Sequence, residues 1–226
     1  MGVAGGRNKG FSLCTGKYVF CLDDDAVLVS ENFLQNTCEY MERNLKVGAL
    51  AYKIYEPSTD KYLIGKLEKG KSMDEESDCL NYLGGAHTIR KSLFQDKLYP
   101  ENLQFGAEEL YASHLIWEKG SSVKYIPELL VYHLPVNNNR TLGKERDYNF
   151  ILNQYIVRLL NYPFVLRVIA SVLFILRLIK NDLFSRSYHN RIKHDLKIRL
   201  VDEEKYKLKY KTIFVLLKKY GIINII

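Results

Sequence analysis

The sequence predicts an α/β domain followed by a basic helical extension, and three observations carry that reading. Apolar stretches of strand length alternate with stretches of helical period through about residue 150. One of the strands, Lys17 to Leu22, runs straight into three consecutive carboxylates, Asp23, Asp24 and Asp25. The charge balance also changes along the chain: residues 1–154 carry 18 Lys and Arg against 21 Asp and Glu, whereas residues 155–226 carry 15 against 5. Of 226 residues, 47% are hydrophobic and 26% charged. That composition argues against a disordered chain and suffices for one sizeable core, or for one domain with an appendage. The expected division is 1–150 for the α/β part and 151–226 for the extension.

Each element has a local reason. Ala4 to Leu13 reads as the end of a loop entering a short helix, closed by Thr15-Gly16. Lys17 to Leu22 is continuous in its apolarity, as a parallel strand covered on both faces would be. Ser30 is placed to cap a helix that carries Phe33, Leu34, Cys38 and Met41 at helical spacing. Val47 to Tyr55 and Lys61 to Leu67 read as strands separated by a turn at Pro57-Ser58, and Glu68 to Asp78 as an exposed polar loop. The stretch "YLGGAHTIRKSLF" gives a double glycine, a short strand and the start of a helix. A helix from Glu108 offers Leu110, His114 or Leu115, and Trp117 for packing and stops at Gly120. "VKYIPELLVYHLP" then supplies a strand, a break at the proline, and a second short strand ending at His133. No internal repeat is visible.

The extension differs in kind. Tyr155 to Ile179 is apolar but interrupted by Arg158, Arg167 and Arg177, and its longest charge-free run, Val168 to Leu176, is nine residues. A bilayer span needs about 20, so an interfacial helix with snorkelling arginines is expected instead. A second basic amphipathic segment runs from Tyr206 to Tyr220. Basic residues alternating with long apolar runs favour an anionic membrane surface over nucleic acid, which would call for interleaved aromatic positions on one face. The four cysteines, Cys14, Cys21, Cys38 and Cys79, have no metal-ligand spacing. They read as reduced thiols, some of them buried, in a cytosolic protein. The first residues show neither the apolar core of a signal peptide nor a myristoylation pattern.

Adjacent carboxylates at a strand end repel one another unless a cation is shared between them. In extended backbone Asp23 and Asp25 point to one side and Asp24 to the other. An Asp-x-Asp pair leaves most of a divalent ion's coordination sphere to phosphate oxygens and water; the alternative is an acidic surface turn. Neither an EF-hand loop nor a phosphate-binding P-loop fits the flanking residues. The surrounding motifs follow in order: "GVAGGRNKG" with Arg7-Asn8 upstream, "LGGAHTIRKSLF", "FGAEELYASHLIWEKG", and "YIPELLVYH".

In this combination and order, residues 1 to about 135 resemble the family 2 glycosyltransferases, nucleotide-sugar-dependent enzymes of GT-A fold. The resemblance implies a GT-A-like mixed sheet flanked by helices, N-terminally incomplete because family members carry further strands before the "GVAGGRNKG" region. It implies that Asp23 and Asp25, with His133 nearby, hold Mn²⁺ or Mg²⁺ on the donor diphosphate. Arg7, Asn8, Asp23 and Asp24 fall in the donor-binding region, and Gly84, Gly85 and Ala86 form the acceptor-side loop. The acidic pair at the head of the later helix, Glu108-Glu109, supplies the general base, with Glu109 at the base position. Glu109 stands where the family usually has Asp, which leaves the choice between Glu108 and Glu109 open.

The chemistry of the residues agrees. A departing diphosphate needs a Lewis acid, an acceptor hydroxyl needs a carboxylate base, and one displacement inverts the anomeric carbon. The expected protein is an inverting glycosyltransferase acting on a glycan or lipid-linked acceptor, peripheral on the inner face of the cell membrane. The rival expectation is an inactive remnant that serves as a membrane-bound or partner-binding accessory. An N-terminally incomplete sheet is further expected to expose a strand edge and apolar surface.

Overall fold

Strand pairing fixes the layout of the N-terminal part. The computed structural model of the chain describes residues 2–95, 97–103, 106–135, 143–201 and 206–225. The strands are β1 (Tyr18–Leu22), β2 (Ala26–Leu28), β3 (Val47–Glu56), β4 (Lys61–Leu63), β5 (Ser77–Asp78), β6 (Ala86–Arg90) and β7 (Ser122–His133). They form one sheet in the order β1-β6-β3-β7-β2, with β4 on β3 and β5 on β7. β3 and β7 are parallel, whereas β6 runs antiparallel to both β1 and β3. It follows that β1, β3 and β7 all point the same way, so their carboxyl ends gather at one end of the sheet. That is where open α/β sheets place their sites.

Eight helices flank the sheet among the described residues. They are α1 (Val3–Leu13), α2 (Phe33–Arg43), α3 (Glu108–Glu118), α4 (Gly143–Asn161), α5 (Phe164–Lys180), α6 (Arg186–Arg199), α7 (Tyr210–Tyr220) and α8 (Ile222–Ile225). The two-residue period of β3 divides the core. Leu50, Tyr52 and Ile54 pack with Phe33 and Met41 of α2 on one face. Ala49 and Ala51 face the other way, into a cluster that holds Ile116 of α3 and also Ile213, Leu216, Tyr220 and Ile225 of α7 and α8. A third cluster joins Tyr111 and Leu115 of α3 to Leu152 and Ile156 of α4 and Phe174 and Leu178 of α5. The C-terminal helices therefore complete the core rather than trail from it. A boundary at residue 150 falls inside α4.

Several expectations need correction. β1 is antiparallel to its partner and ends the described sheet, so its continuous apolarity reflects half-burial at an edge and not a parallel, doubly covered strand. α1 is helical from Val3 through three glycines because Ala4, Asn8 and Phe11 fall on one buried face. Ser30 caps nothing: its hydroxyl donates to Glu128 O (2.8 Å) and accepts from Leu130 N (2.8 Å), tying the end of β2 to β7. α2 starts after Asn32 in left-handed conformation and buries Phe33, Thr37 and Met41, which leaves Leu34 and Cys38 exposed. Of the cysteines only Cys79 is buried among the four, and all are free. The strand after Pro57 stops at Leu63, and only a three-residue 3-10 turn, Lys91–Leu93, follows β6. Pro127 does not break β7; the strand runs through it with a bulge opposite Tyr52 and Lys53, a position at which a missing N–H is tolerated.

The expected interfacial helix over Tyr155 to Ile179 is two helices, because the chain turns at Tyr162-Pro163 between α4 and α5. Two of its three arginines do not snorkel. Arg158 is buried and donates to Gln154 O (2.9 Å) and Ile225 O (3.4 Å), and Arg177 donates to Gln154 Oε1 (2.9 Å). Among the described residues no helix is long and apolar enough to cross a membrane.

Candidate active site

The gathered strand ends place Asp23 and Asp25 after β1, Glu56 at the end of β3, and His133 at the end of β7. Backbone bonds fix the first two: Asp23 N donates to Gly85 O (3.0 Å), Ala26 N turns back to Asp23 O (3.1 Å), and Leu134 N donates to Asp25 O (2.7 Å). Pairing of Ala26 with His133 in the β2–β7 ladder then brings Asp25 against the imidazole. A cavity of about 630 Å³ opens over these ends. Arg7, Asp23, Asp25, Gly84, Gly85, Glu108, Glu109 and His133 all line it.

Arg7, on α1, is the electrostatic centre. Its Nη2 meets Asp23 Oδ1 at 2.9 Å, and its Nη1 meets Glu109 Oε1 at 3.0 Å and Glu108 Oε1 at 3.3 Å. Burial works to lower the Arg7 pKa, but Glu109 and Asp23 outweigh it and raise it overall. The acidic pair pays the opposite penalty. Burial, with Glu109 adding to it, pushes Glu108 up to about 7, and burial raises Glu109 against the opposing pull of Arg7. Glu108 Oε2 has no hydrogen-bond partner. The head of α3 is also held in unusual backbone: Gly106 and Ala107 both have positive φ, 72° and 71°, and left-handed alanine is strained where a glycine is not.

Gly84 is required by close approach. A methyl group there would lie 2.3 Å from Glu109 Oε1 and under 3 Å from both terminal nitrogens of Arg7. The loop that carries it rests on a buried relay the sequence did not disclose. His87 Nδ1 bonds Leu83 O (3.0 Å), its Nε2 bonds the Tyr99 hydroxyl (3.0 Å), and Tyr99 bonds the Tyr82 hydroxyl (3.0 Å). Burial pushes His87 down to about 3; it is neutral, and a neutral ring that donates from Nδ1 accepts at Nε2.

On the other side, His133 Nε2 lies 3.5 Å from Asp25 Oδ1, and His133 Nδ1 is 2.9 Å from Glu56 Oε2. Glu56 is buried, and its Oε1 accepts from the Thr59 hydroxyl (3.1 Å). A carboxylate accepts only, so His133 donates from Nδ1 and presents Nε2 beside Asp25. A ligand histidine fixed through its second nitrogen is the usual outer-shell arrangement of a metal site.

Three expected residues are not brought to the cavity. Asn8 is buried, with Oδ1 accepting from Leu98 N (3.0 Å) and Tyr99 N (2.9 Å) and Nδ2 donating to Tyr99 O (2.9 Å); it clamps α1 to that segment instead of facing a donor. Asp24 is exposed and turned outward. Ala86 is fully buried inside β6. Among the described residues no three His, Cys, Asp or Glu side chains are placed as a preformed metal cage. Asp23, Asp25 and His133 nevertheless line the same cavity, Asp25 and His133 within 3.5 Å of one another, and this donor chemistry fits an open divalent-ion site, since carboxylate oxygens suit Mn²⁺ and Mg²⁺. Glu56 escaped sequence reading although it had a signal, a carboxylate at the carboxyl end of a second strand.

Comparison with known proteins bears on the fold that carries these residues. Residues 1–96 match the model of the family described as "Glycosyl transferase family 2". A curated protein of Haemophilus influenzae, described as uncharacterized, is 37% identical over 105 residues, which cover 44% of this chain and 57% of that protein. Among solved structures, GalNAc-T7 with UDP, GalNAc and Mn²⁺ superposes with a TM-score of 0.58 at 13% identity, over 97% of this chain and 44% of that one. Staphylococcus aureus TarS 1-349 in complex with UDP-GlcNAc gives 0.52 at 14% identity, over 82% and 54%. The mannosyltransferase PcManGT of Pyrobaculum calidifontis, in complex with GDP-Man and Mn²⁺, gives 0.50 at 11% identity, over 99% and 65%. The chain thus spans about half the length of the relatives it matches. At such identities the structural likeness is one of fold. Residues 1–96 of this chain are thus similar to glycosyl transferase family 2, and the described sheet and helices form a GT-A-like fold.

Proposed function

We propose that the chain carries the metal and acceptor portion of an inverting glycosyltransferase that uses a nucleotide-activated sugar. The observation that supports this most strongly is the meeting of Arg7, Asp23, Glu108 and Glu109 within ion-pair distance on the wall of one cavity, with Asp25 and His133 paired beside them. Asp23, Asp25 and His133 Nε2 would hold Mn²⁺ or Mg²⁺. Bound there, the ion supplies Lewis-acid neutralisation of charge on the leaving diphosphate. Arg7 contributes a second positive charge at the same place and orients phosphate oxygens through its planar fork.

Glu109 takes the proton of the acceptor hydroxyl; that oxygen forms a bond to the anomeric carbon while the sugar–diphosphate bond breaks, its electron pair leaving with the diphosphate. Glu108, with its pKa near the working pH and an unpartnered oxygen, is the other candidate for this proton. Glu109→Gln and Glu108→Gln separate the two: the base variant loses kcat by roughly 10²–10⁴-fold, while the other keeps most of it.

Calorimetric titration with UDP-GlcNAc and with GDP-Man, with and without Mn²⁺, tests the donor reading. Metal-dependent binding that Asp25→Asn abolishes without changing the circular dichroism spectrum is expected. Equal affinity in the variant removes the metal site from the account.

The acceptor is proposed to be a glycan or a lipid-linked saccharide reached at the inner face of the cell membrane. Support comes from α5, whose outer side exposes Val168, Val172, Leu176 and Ile179 by about half of their surface each, in a segment of strongly positive balance.

A further inference from the structure

A cavity of about 650 Å³ lies between α4, α5 and α6, away from the carboxylates. Its size falls in the range of about 300–1,000 Å³ in which proteins enclose small molecules. The walls are apolar, with Phe174, Leu178, Leu183, Ile192 and Leu196 among them. The three hydroxyls that line it are already engaged: Tyr155 bonds Ser171 (2.8 Å), which donates to Arg167 O (2.8 Å), and Ser185 bonds the Ser187 hydroxyl (3.0 Å) and accepts from Tyr188 N (3.4 Å).

The mouth has the opposite character. Arg186, His189 and Lys193 line it from α6, spaced three and four residues apart on one helix face, and all three are exposed. Among the described residues no Asp or Glu lines the cavity. Asp195 of the same helix is turned to Tyr148 (2.8 Å) and Arg199 (3.3 Å). Ile175 belongs both to the lining and to the exposed side of α5, where it is 45% exposed. The apolar face of α5 is therefore continuous with the cavity opening.

We propose that this cavity receives one hydrocarbon chain of an anionic membrane phospholipid, whose phosphate is held by Arg186, His189 and Lys193. An apolar interior whose rim carries the Arg186 and Lys193 charges is complementary to an amphiphile whose head is anionic, and its position beside an exposed apolar helix face suits a lipid drawn partly out of a bilayer. The inference rests on the membrane placement proposed above.

The test uses the full chain and two probes. Native mass spectrometry with 1-oleoyl-lysophosphatidylglycerol is expected to show a 1:1 complex, with at least tenfold weaker binding of the zwitterionic choline analogue. Ile175→Trp, which fills the opening, is expected to abolish the complex, and Arg186→Glu with Lys193→Glu, both on exposed side chains, to erase the headgroup preference. Flotation with vesicles of phosphatidylglycerol reports the membrane reading separately. Vesicle binding without a 1:1 lysolipid complex, or a complex indifferent to both variants, overturns the cavity assignment and leaves the membrane reading standing. Loss of vesicle binding and of the complex in the wild-type chain overturns both.

Discussion

Arg7 touches three carboxylates, and burial pushes two of them, Glu108 and Glu109, upward. Glu108 has its folded pKa raised to about 7 by desolvation. Between the ordinary glutamate value and 7 the folded state keeps a proton that the unfolded chain has released, so stability falls as pH rises through that window. Glu108→Gln is expected to melt above the wild type by a margin that grows from pH 5 to pH 8, up to about 3 kcal/mol; a pH-independent difference in thermal melts contradicts the burial argument. Gly84→Ala is expected to keep the circular dichroism spectrum and displace the Arg7–Glu109 pair, lowering transfer on the order of 100-fold; unaltered kinetics would show that the pair has no part in transfer. Glu56→Gln is expected to release the Nδ1-protonated tautomer of His133, read by ¹⁵N NMR of the imidazole, and to weaken Mn²⁺ binding by roughly 10- to 100-fold. At this scale the sequence disclosed the acidic residues, because "DDD" and "EE" are visible as strings. It hid Glu56 and the His87–Tyr99–Tyr82 relay, whose members acquire meaning only through contacts distant in the chain.

Elements were legible where one face is buried and obscure where a tertiary contact took over a local signal. β1, β3, β6, α2 and α3 follow from period and turn chemistry, as Leu50, Tyr52 and Ile54 alternating with Ala49 and Ala51 illustrate, whereas β2 and β5, the latter inside the stretch expected to be an exposed loop, exist only through their pairing with β7. Ser30 has the composition of a cap, yet Glu128 and Leu130 across the sheet claim its hydroxyl. The real terminator of α2 comes from β6: Arg90, buried, donates to Met41 O (2.8 Å), Asn44 O (3.1 Å) and Val47 O (2.8 Å). It thereby satisfies carbonyls at the helix end and sets the entry into β3. Arg90→Met is expected to cost about 3 kcal/mol in denaturant unfolding, with no change in the slope; a cost below ~0.5 kcal/mol would mean that water replaces the guanidinium at those carbonyls. Arg158 makes the same point for the extension. Its charge inside an apolar run suggests snorkelling, whereas the fold turns it inward to carbonyls of α4 and α8.

Across the whole molecule, three parallel-running strand ends collect the chemistry at one edge of the sheet, and the C-terminal helices seal the face beneath. The charge asymmetry read from the sequence survives as an exposed apolar helix face set among basic residues, while the burial of α7 and α8 against the sheet could not be read from it. Paramagnetic broadening of backbone amide signals in the full chain, on adding Mn²⁺ with UDP, reports directly where the ion sits. Selective loss of the signals of Asp25, Gly85 and Leu134 is expected, because Gly85 O bonds Asp23 N and Leu134 N bonds Asp25 O, with recovery of all three in Asp25→Asn. Broadening centred elsewhere, or unchanged in that variant, would contradict the assignment of the strand-end carboxylates to metal and diphosphate.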